Sequence, residues 1–150
     1  MPRRMSVSLT LDAVRSRQKT VTRRHVDTWK DLNPGDHLTL IEKGMGLPKG
    51  AKQVVVCEVE IVDVRTETLR QVTVDEVRRE GLWDRAVDES RRFEDYYDED
   101  YLPVVWFRAF WACSHLGGTV ADWAIGRSAP SLTGVDCRRI EFRYLDEVTG

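Results

Sequence analysis

Cysteine is scarce in this chain, and what there is does not pair off. The 150 residues hold three cysteines, Cys57, Cys113 and Cys137, widely spaced and without a C-x-x-C. An odd, dispersed set points to reduced thiols in a cytoplasmic protein and away from a disulfide framework or a zinc site. Long apolar runs are missing too. Val54-Val55-Val56-Cys57, among the longest, is far short of the ~20 residues that cross a bilayer, so no membrane span is expected. The opening Met-Pro-Arg-Arg has no apolar segment behind it, which argues against a secretory leader. His25, His37 and His115 lack metal-ligand spacing, so no metal is expected. There is no G-x-S-x-G, and the glycine-rich loop Gly44 to Gly50 fits neither the dinucleotide nor the P-loop fingerprint. No internal repeat or low-complexity tract interrupts the chain.

What remains is a globular composition, 41% apolar and 32% charged. A chain of this length fits one domain, residues 1–150, and buries roughly 70% of its unfolded surface in one core. The net charge of −2 hides an asymmetry. Residues 1–56 carry eleven Lys/Arg against five Asp/Glu, residues 57–102 seven against fifteen, and residues 103–150 five against five. The basic N-terminal part suits an anion or nucleic-acid fragment, while the acidic middle opposes non-specific binding of a long polyanion. A small or locally bound ligand is the expectation.

Local patterns divide the chain into short elements. Residues 5–11 alternate as a strand or extended lead-in, and Asp12 reads as the N-cap of a helix to about Arg17. Thr20-Val21-Thr22 is β-branched and reads as a strand. His25 to Leu32 reads as a loop whose Trp29 packs on the core. Asn33-Pro34-Gly35-Asp36 is a turn leading into a strand over residues 37–42. Residues 53–65 form the longest strand signal, with Val55, Cys57, Val59, Ile61 and Asp63 on one face and a bend or bulge expected near Glu60. Cys57 reads there as a core thiol. Thr73 caps a helix that carries Asp75 and Glu76 in its first turn and stops at Gly81. Residues 84–100 read as a polar excursion or partly mobile helix, 103–114 as an apolar-faced helix, 117–134 as a weakly patterned insertion, and 137–145 as a final strand. These elements predict an α+β fold, a small mixed sheet curled into a barrel with helices at its rim.

One stretch concentrates chemistry. Arg17-Gln18-Lys19-Thr20-Val21-Thr22-Arg23-Arg24 places a lysine, two threonines and three arginines in eight residues. By itself this is most simply a solvated, dipole-compensating helix end. Its order with other elements says more. Lys19-Thr20-Val21-Thr22-Arg23-Arg24, then Pro34-Gly35-Asp36, then the Val-rich strand 54–64, then Glu80-Gly81-Leu82, resembles the ASCH domain of the PUA-like superfamily. The resemblance covers about residues 7–82 and 137–145; residues 83–136 are longer than in compact members. Two departures stand out: Ser16 and Arg17 replace the usual glycine before the lysine motif, and Leu82 replaces phenylalanine after Glu-Gly.

The resemblance implies a small PUA-like β-barrel, mostly antiparallel, with helices at the rim. Some of the family's small bacterial members are amidohydrolases that remove the acetyl group from N4-acetylcytidine. Carried over residue by residue, Thr22 would be the nucleophile, Lys19 the base and Glu80 the acid or orienting group. From spacing, Arg24 shares a strand face with Thr22 and is expected to bind substrate or the oxyanion, with Arg23 and Arg17 as further substrate-binding candidates and no cofactor. The alternative is a non-catalytic PUA-like module, or a ribonuclease-like ASCH protein, holding RNA or a modified nucleotide. Catalysis makes two demands on the residues. Lysine must fall below its usual pKa of ~10.4 to accept a proton, and Glu80 opposes that. Lys19 and Thr22 must also converge, which a regular strand forbids at a spacing of three, so Lys19 must sit at a helix–strand junction.

Overall fold

The computed structural model describes residues 3–44 and 46–145. Met1 and Pro2 of the N-terminal lead and Met45 of the glycine-rich loop lie outside the described residues. Five strands, β1 (Arg3–Ser6), β2 (Val21–His25), β3 (His37–Ile41), β4 (Val55–Thr68) and β5 (Asp136–Tyr144), form one sheet in the order β1-β3-β4-β5-β2. Only β1 and β3 pair in parallel; the other neighbours are antiparallel. The sheet curls into a half-barrel carrying α1 (Leu11–Arg15), α2 (Val74–Arg79), α3 (Trp83–Glu89), α4 (Leu102–Leu116) and α5 (Val120–Ile125). The architecture is the expected α+β, PUA-like small barrel.

The turn before β3 follows from its residues. Asp36 N–H donates to the Asn33 carbonyl at 3.0 Å, and Gly35, at φ 92°, takes the left-handed position that glycine fills without strain. β4 is long because its first half pairs with β3 and its second with β5. The bulge falls between Ile61 and Asp63, slightly beyond Glu60, and leaves Val62 as the exposed extra residue. It reverses the alternation, so Val64 pairs with Ile140 while Asp63 pairs with Glu141. Asp63 therefore leaves the Ile61 face on which the uninterrupted pattern placed it.

Two apolar clusters result. One lies between α1 and the sheet and includes Met5, Val14, Leu38, Leu40, Cys57, Val59, Ile61, Ile140, Phe142 and Tyr144, with Trp29 packed against it. The other surrounds α4 and includes Leu69, Val77, Leu82, Trp106, Phe107, Trp111, Leu132 and Cys137. α1 starts at Leu11 without a side-chain cap because a 3-10 turn over Ser8–Thr10 runs straight into it, so Asp12 sits inside the first turn. β2 continues to His25 through its pairing with Cys137. Residues 84–100 and 117–134 are more ordered than their patterns suggested. They hold α3, α5 and three 3-10 segments (Ser90–Phe93, Glu99–Tyr101 and Ala129–Gly134). Each brings at most two buried residues, such as Ala86, Ala124 or Leu132, too few to print a periodic signal. Among the described residues no helix is long and apolar enough to cross a membrane.

Candidate active site

The site begins where α1 ends. The Ala13 carbonyl accepts from both Gln18 N at 2.9 Å and Lys19 N at 3.1 Å, and Arg17 turns the chain at φ 66°. This non-glycine left-handed residue costs about 1–2 kcal/mol, which the surrounding contacts hold in place. Lys19 thus lies at the junction between α1 and β2, as convergence with Thr22 requires. Thr20 N donates to Arg79 O at 2.8 Å, and the Tyr144 hydroxyl donates to Lys19 O at 2.5 Å, so both sides of the junction are clamped.

Glu80 arrives at the end of α2. Thr73 starts that helix by accepting from Glu76 N, and Gly81 ends it at φ 81°. A Cβ at Gly81 would stand 2.5 Å from Ala13 Cβ and 3.2 Å from Lys19 Cβ. Glycine is what lets the helix end close on the junction. The Lys19 ammonium nitrogen donates to the Glu80 backbone oxygen at 2.7 Å and to Glu80 Oε1 at 3.2 Å. Arg23 Nη1 donates to Glu80 Oε2 at 2.9 Å, and Arg23 Nη2 reaches Glu67 Oε1 at 3.1 Å and Glu76 Oε1 at 3.4 Å. Arg139 joins the same carboxylates, with Nε 2.8 Å from Glu76 Oε1 and 3.5 Å from Glu67 Oε1.

The opposing influences on Lys19 now have an outcome. Burial, the largest, together with Arg24 and Arg23, outweighs the charge and hydrogen bond of Glu80, and the pKa falls below the usual 10.5. Arg24 is lowered by burial against the pull of Glu80. Burial also acts against Arg23, but the carboxylates of Glu80, Glu76 and Glu67 outweigh it and raise its pKa.

Lys19, Thr22, Arg23, Arg24 and Glu80 wall a cavity of about 140 Å³, whose lining also includes Ser6, Ser8, Leu9, Thr10, Leu82 and, from α4, Phe107, Phe110, Trp111, Ser114 and His115. That volume is close to the ~150 Å³ that accommodates a benzene-sized ring. Its floor is buried (Lys19 2%, Thr22 5%, Arg23 2% and Glu80 3% exposed), whereas Ser8, Leu9 and Ser114 at the rim are exposed. The Thr22 side chain makes no hydrogen bond among the described residues. Arg24 lines the wall with Nη2 donating to Ser6 O at 2.8 Å, while its buried Nε has no partner.

Lys19, Thr22, Glu80, Arg23 and Arg24 therefore meet in one place, and Arg17 does not. Its guanidinium lies over the Tyr144 ring, 4.9 Å from the centroid, and donates to Val14 O. Arg23 lines the cavity, yet its terminal nitrogens are committed to carboxylates. Three parts of the site escaped the sequence reading: the Ser6–Thr10 rim, the Glu67–Glu76–Arg139 cluster and the α4 wall. Only the last left a usable signal, since Phe107, Phe110, Trp111 and Ser114 follow the i, i+3, i+4, i+7 spacing of one helix face. Among the described residues no group of three or more His, Cys, Asp or Glu side chains is arranged to hold a metal ion.

No protein-family model matches the chain, and no curated protein is similar to it in sequence. Among solved structures, one similar fold is a protein from Enterococcus faecalis V583 described by the family DUF984. It is 11% identical, with a TM-score of 0.50, over 97% of this chain and 80% of that one. An ASCH domain from Lactobacillus crispatus JV V101 is 14% identical, with a TM-score of 0.45, over 91% of this chain and 70% of that one. At such identities the first likeness concerns the fold alone, and the looser second one adds nothing to it.

Proposed function

We propose that the cavity hydrolyses the exocyclic amide of N4-acetylcytidine or a related N4-acylated cytidine nucleoside. One observation carries this reading. Lys19 and Glu80, sixty-one residues apart, wall the same base-sized cavity as Thr22, and burial holds Lys19 below its usual pKa. An unprotonated amine beside a hydroxyl is what activates a threonine.

The Thr22 hydroxyl attacks the acyl carbonyl while the Lys19 amine takes its proton. Arg24, cationic and lining the cavity, balances the developing oxyanion. As the C–N bond breaks, the Lys19 ammonium returns the proton to the departing N4 of cytidine. Water, giving its proton to Lys19, then attacks the acyl ester on Thr22; as the acyl–oxygen bond breaks, the Lys19 ammonium returns that proton to the Thr22 oxygen and the carboxylic acid leaves. Glu80, hydrogen-bonded to Lys19 and Arg23, orients the amine and stabilises its ammonium form between the two transfers. Its role is orientation in preference to proton donation, because both carboxylate oxygens are already engaged.

Those same two hydrogen bonds favour a second reading, in which Lys19 stays an ammonium and the cavity only binds a modified base or RNA. Incubation of the purified protein with N4-acetylcytidine separates the two. Cytidine released by the wild type and lost in Thr22→Ala supports hydrolysis. Turnover that survives Thr22→Ala rules out the covalent step. No turnover on a panel of N4-acyl cytidines, with salt-sensitive RNA binding, supports the binding module.

A further inference from the structure

His115 has no part in the mechanism above, yet it stands at the mouth of the cavity in a fixed state. Its Nδ1 lies 2.9 Å from the Trp111 carbonyl oxygen, which can only accept, so Nδ1 carries the hydrogen. Its ring stacks on Trp111 at 4.2 Å and 15°, which locks the plane. Burial, with help from Arg24 and His25, lowers its pKa against the Trp111 hydrogen bond and Glu80, and so keeps the ring neutral. Nε2 is then a lone-pair acceptor that cannot donate. It calls for a ligand O–H or N–H.

The geometry of a pyrimidine nucleoside says which group would reach it. N1, which bears the sugar, and C4, which bears the acylated nitrogen, lie across the ring from each other. With the acyl group on the buried floor beside Lys19 and Thr22, the sugar must point out of the mouth, because the cavity holds little more than the base. The mouth is where half-buried His115 sits, between the exposed Ser114 and the α4 aromatic wall.

We propose that His115 is a specificity-determining residue whose Nε2 accepts a hydrogen bond from the 2′- or 3′-hydroxyl of the ribose of the bound nucleoside. The site thereby tells cytidine from the deoxynucleoside that lacks that hydroxyl. This rests on the nucleoside reading of the cavity but not on hydrolysis. Cytidine, the product of the proposed reaction, serves as the probe.

The test is equilibrium binding of cytidine, 2′-deoxycytidine and 3′-deoxycytidine to the wild type, His115→Phe and His115→Gln, with N4-acetylcytidine turnover followed in parallel. Phe keeps the stack and removes the acceptor; Gln returns an acceptor near the Nε2 position. Thermal unfolding checks that both variants fold. His115→Phe is expected to weaken cytidine by about three- to tenfold, as for loss of one neutral hydrogen bond. The deoxynucleoside lacking the contacted hydroxyl should bind both proteins alike, and His115→Gln should retain most of the cytidine affinity. Equal weakening of all three nucleosides by His115→Phe, or none, overturns the proposal. Sugar discrimination that depends on His115 without any N4-acetylcytidine cleavage would retain this contact and remove the hydrolase reading. Failure of the wild type to bind any of the three removes both.

Discussion

Both faces of β5 carry buried side chains, and they are filled in opposite ways. On one, Ile140, Phe142 and Tyr144 lie in an apolar cluster that reaches Met5, Val14 and Leu38. On the other, Arg139 lies against Glu76 and Glu67, and through them reaches Arg23, Glu80 and Lys19. Apolar burial is non-directional and degrades gradually when atoms are removed. A buried ionic cluster is directional, and removal of one partner leaves the others desolvated and unpaired. The first face supplies stability. The second holds Lys19, Arg23 and Glu80 in one arrangement at the floor of the cavity.

The sharpest way to break this contrast is Glu80→Ala, which leaves the buried Lys19 without its carboxylate and Arg23 Nη1 without its partner. A loss of about 3–5 kcal/mol is expected from urea unfolding. A loss under about 1 kcal/mol would show that the ionic face is far more solvated than its geometry implies. Next comes Gly81→Ala, which meets Ala13 Cβ at 2.5 Å while forcing a left-handed alanine. An expected cost of about 2–4 kcal/mol combines backbone strain with overpacking. Activity should fall as well, because Lys19 is the second neighbour displaced. On the apolar face Ile61→Val should cost only about 0.5–1.5 kcal/mol and leave ligand binding unchanged by calorimetry.

The smallest effect is a slope. The folded pKa of Lys19 lies below the ordinary 10.5, so between those two values the unfolded chain holds a proton that the folded chain has released. Stability should therefore rise with pH across that window, and the full penalty of burying the ammonium applies below the folded pKa. Denaturation midpoints of the wild type against Lys19→Met over a pH series measure it. A wild-type slope no steeper than that of Lys19→Met would mean that Glu80, not burial, governs the amine.

Much of the frame was legible because its signals are local. The Asn33–Asp36 turn, the Thr73 cap, the Gly81 stop and the alternation of β4 and β5 each depend on residues within a few positions of one another. The bulge in β4 was legible only approximately. Val62 continues a Val-rich run, and its place outside the pairing is set by the register of β5. The Glu67–Glu76–Arg139 cluster was not legible at all, since one carboxylate at a strand end, one in a helix first turn and one arginine on an alternating strand each have an ordinary surface explanation.

By itself, the order of residues determined an α+β fold with a junction near residue 19 and, through the family resemblance, named Lys19, Thr22 and Glu80, with Arg24, Arg23 and Arg17 beside them, as a set. Tertiary structure alone decided two things. It decided the sign of the Lys19 shift, because desolvation and the distances to Glu80, Arg24 and Arg23 compete, and neither quantity exists along a chain. It also decided that α4 closes the cavity, because a stripe of aromatics at helical spacing reads identically whether it meets a core or a ligand. Only the placement of α4 beside β2, with Trp111 Nε1 donating to Arg23 O at 3.0 Å, shows that Phe107, Phe110 and Trp111 pack in the core and also line the cavity.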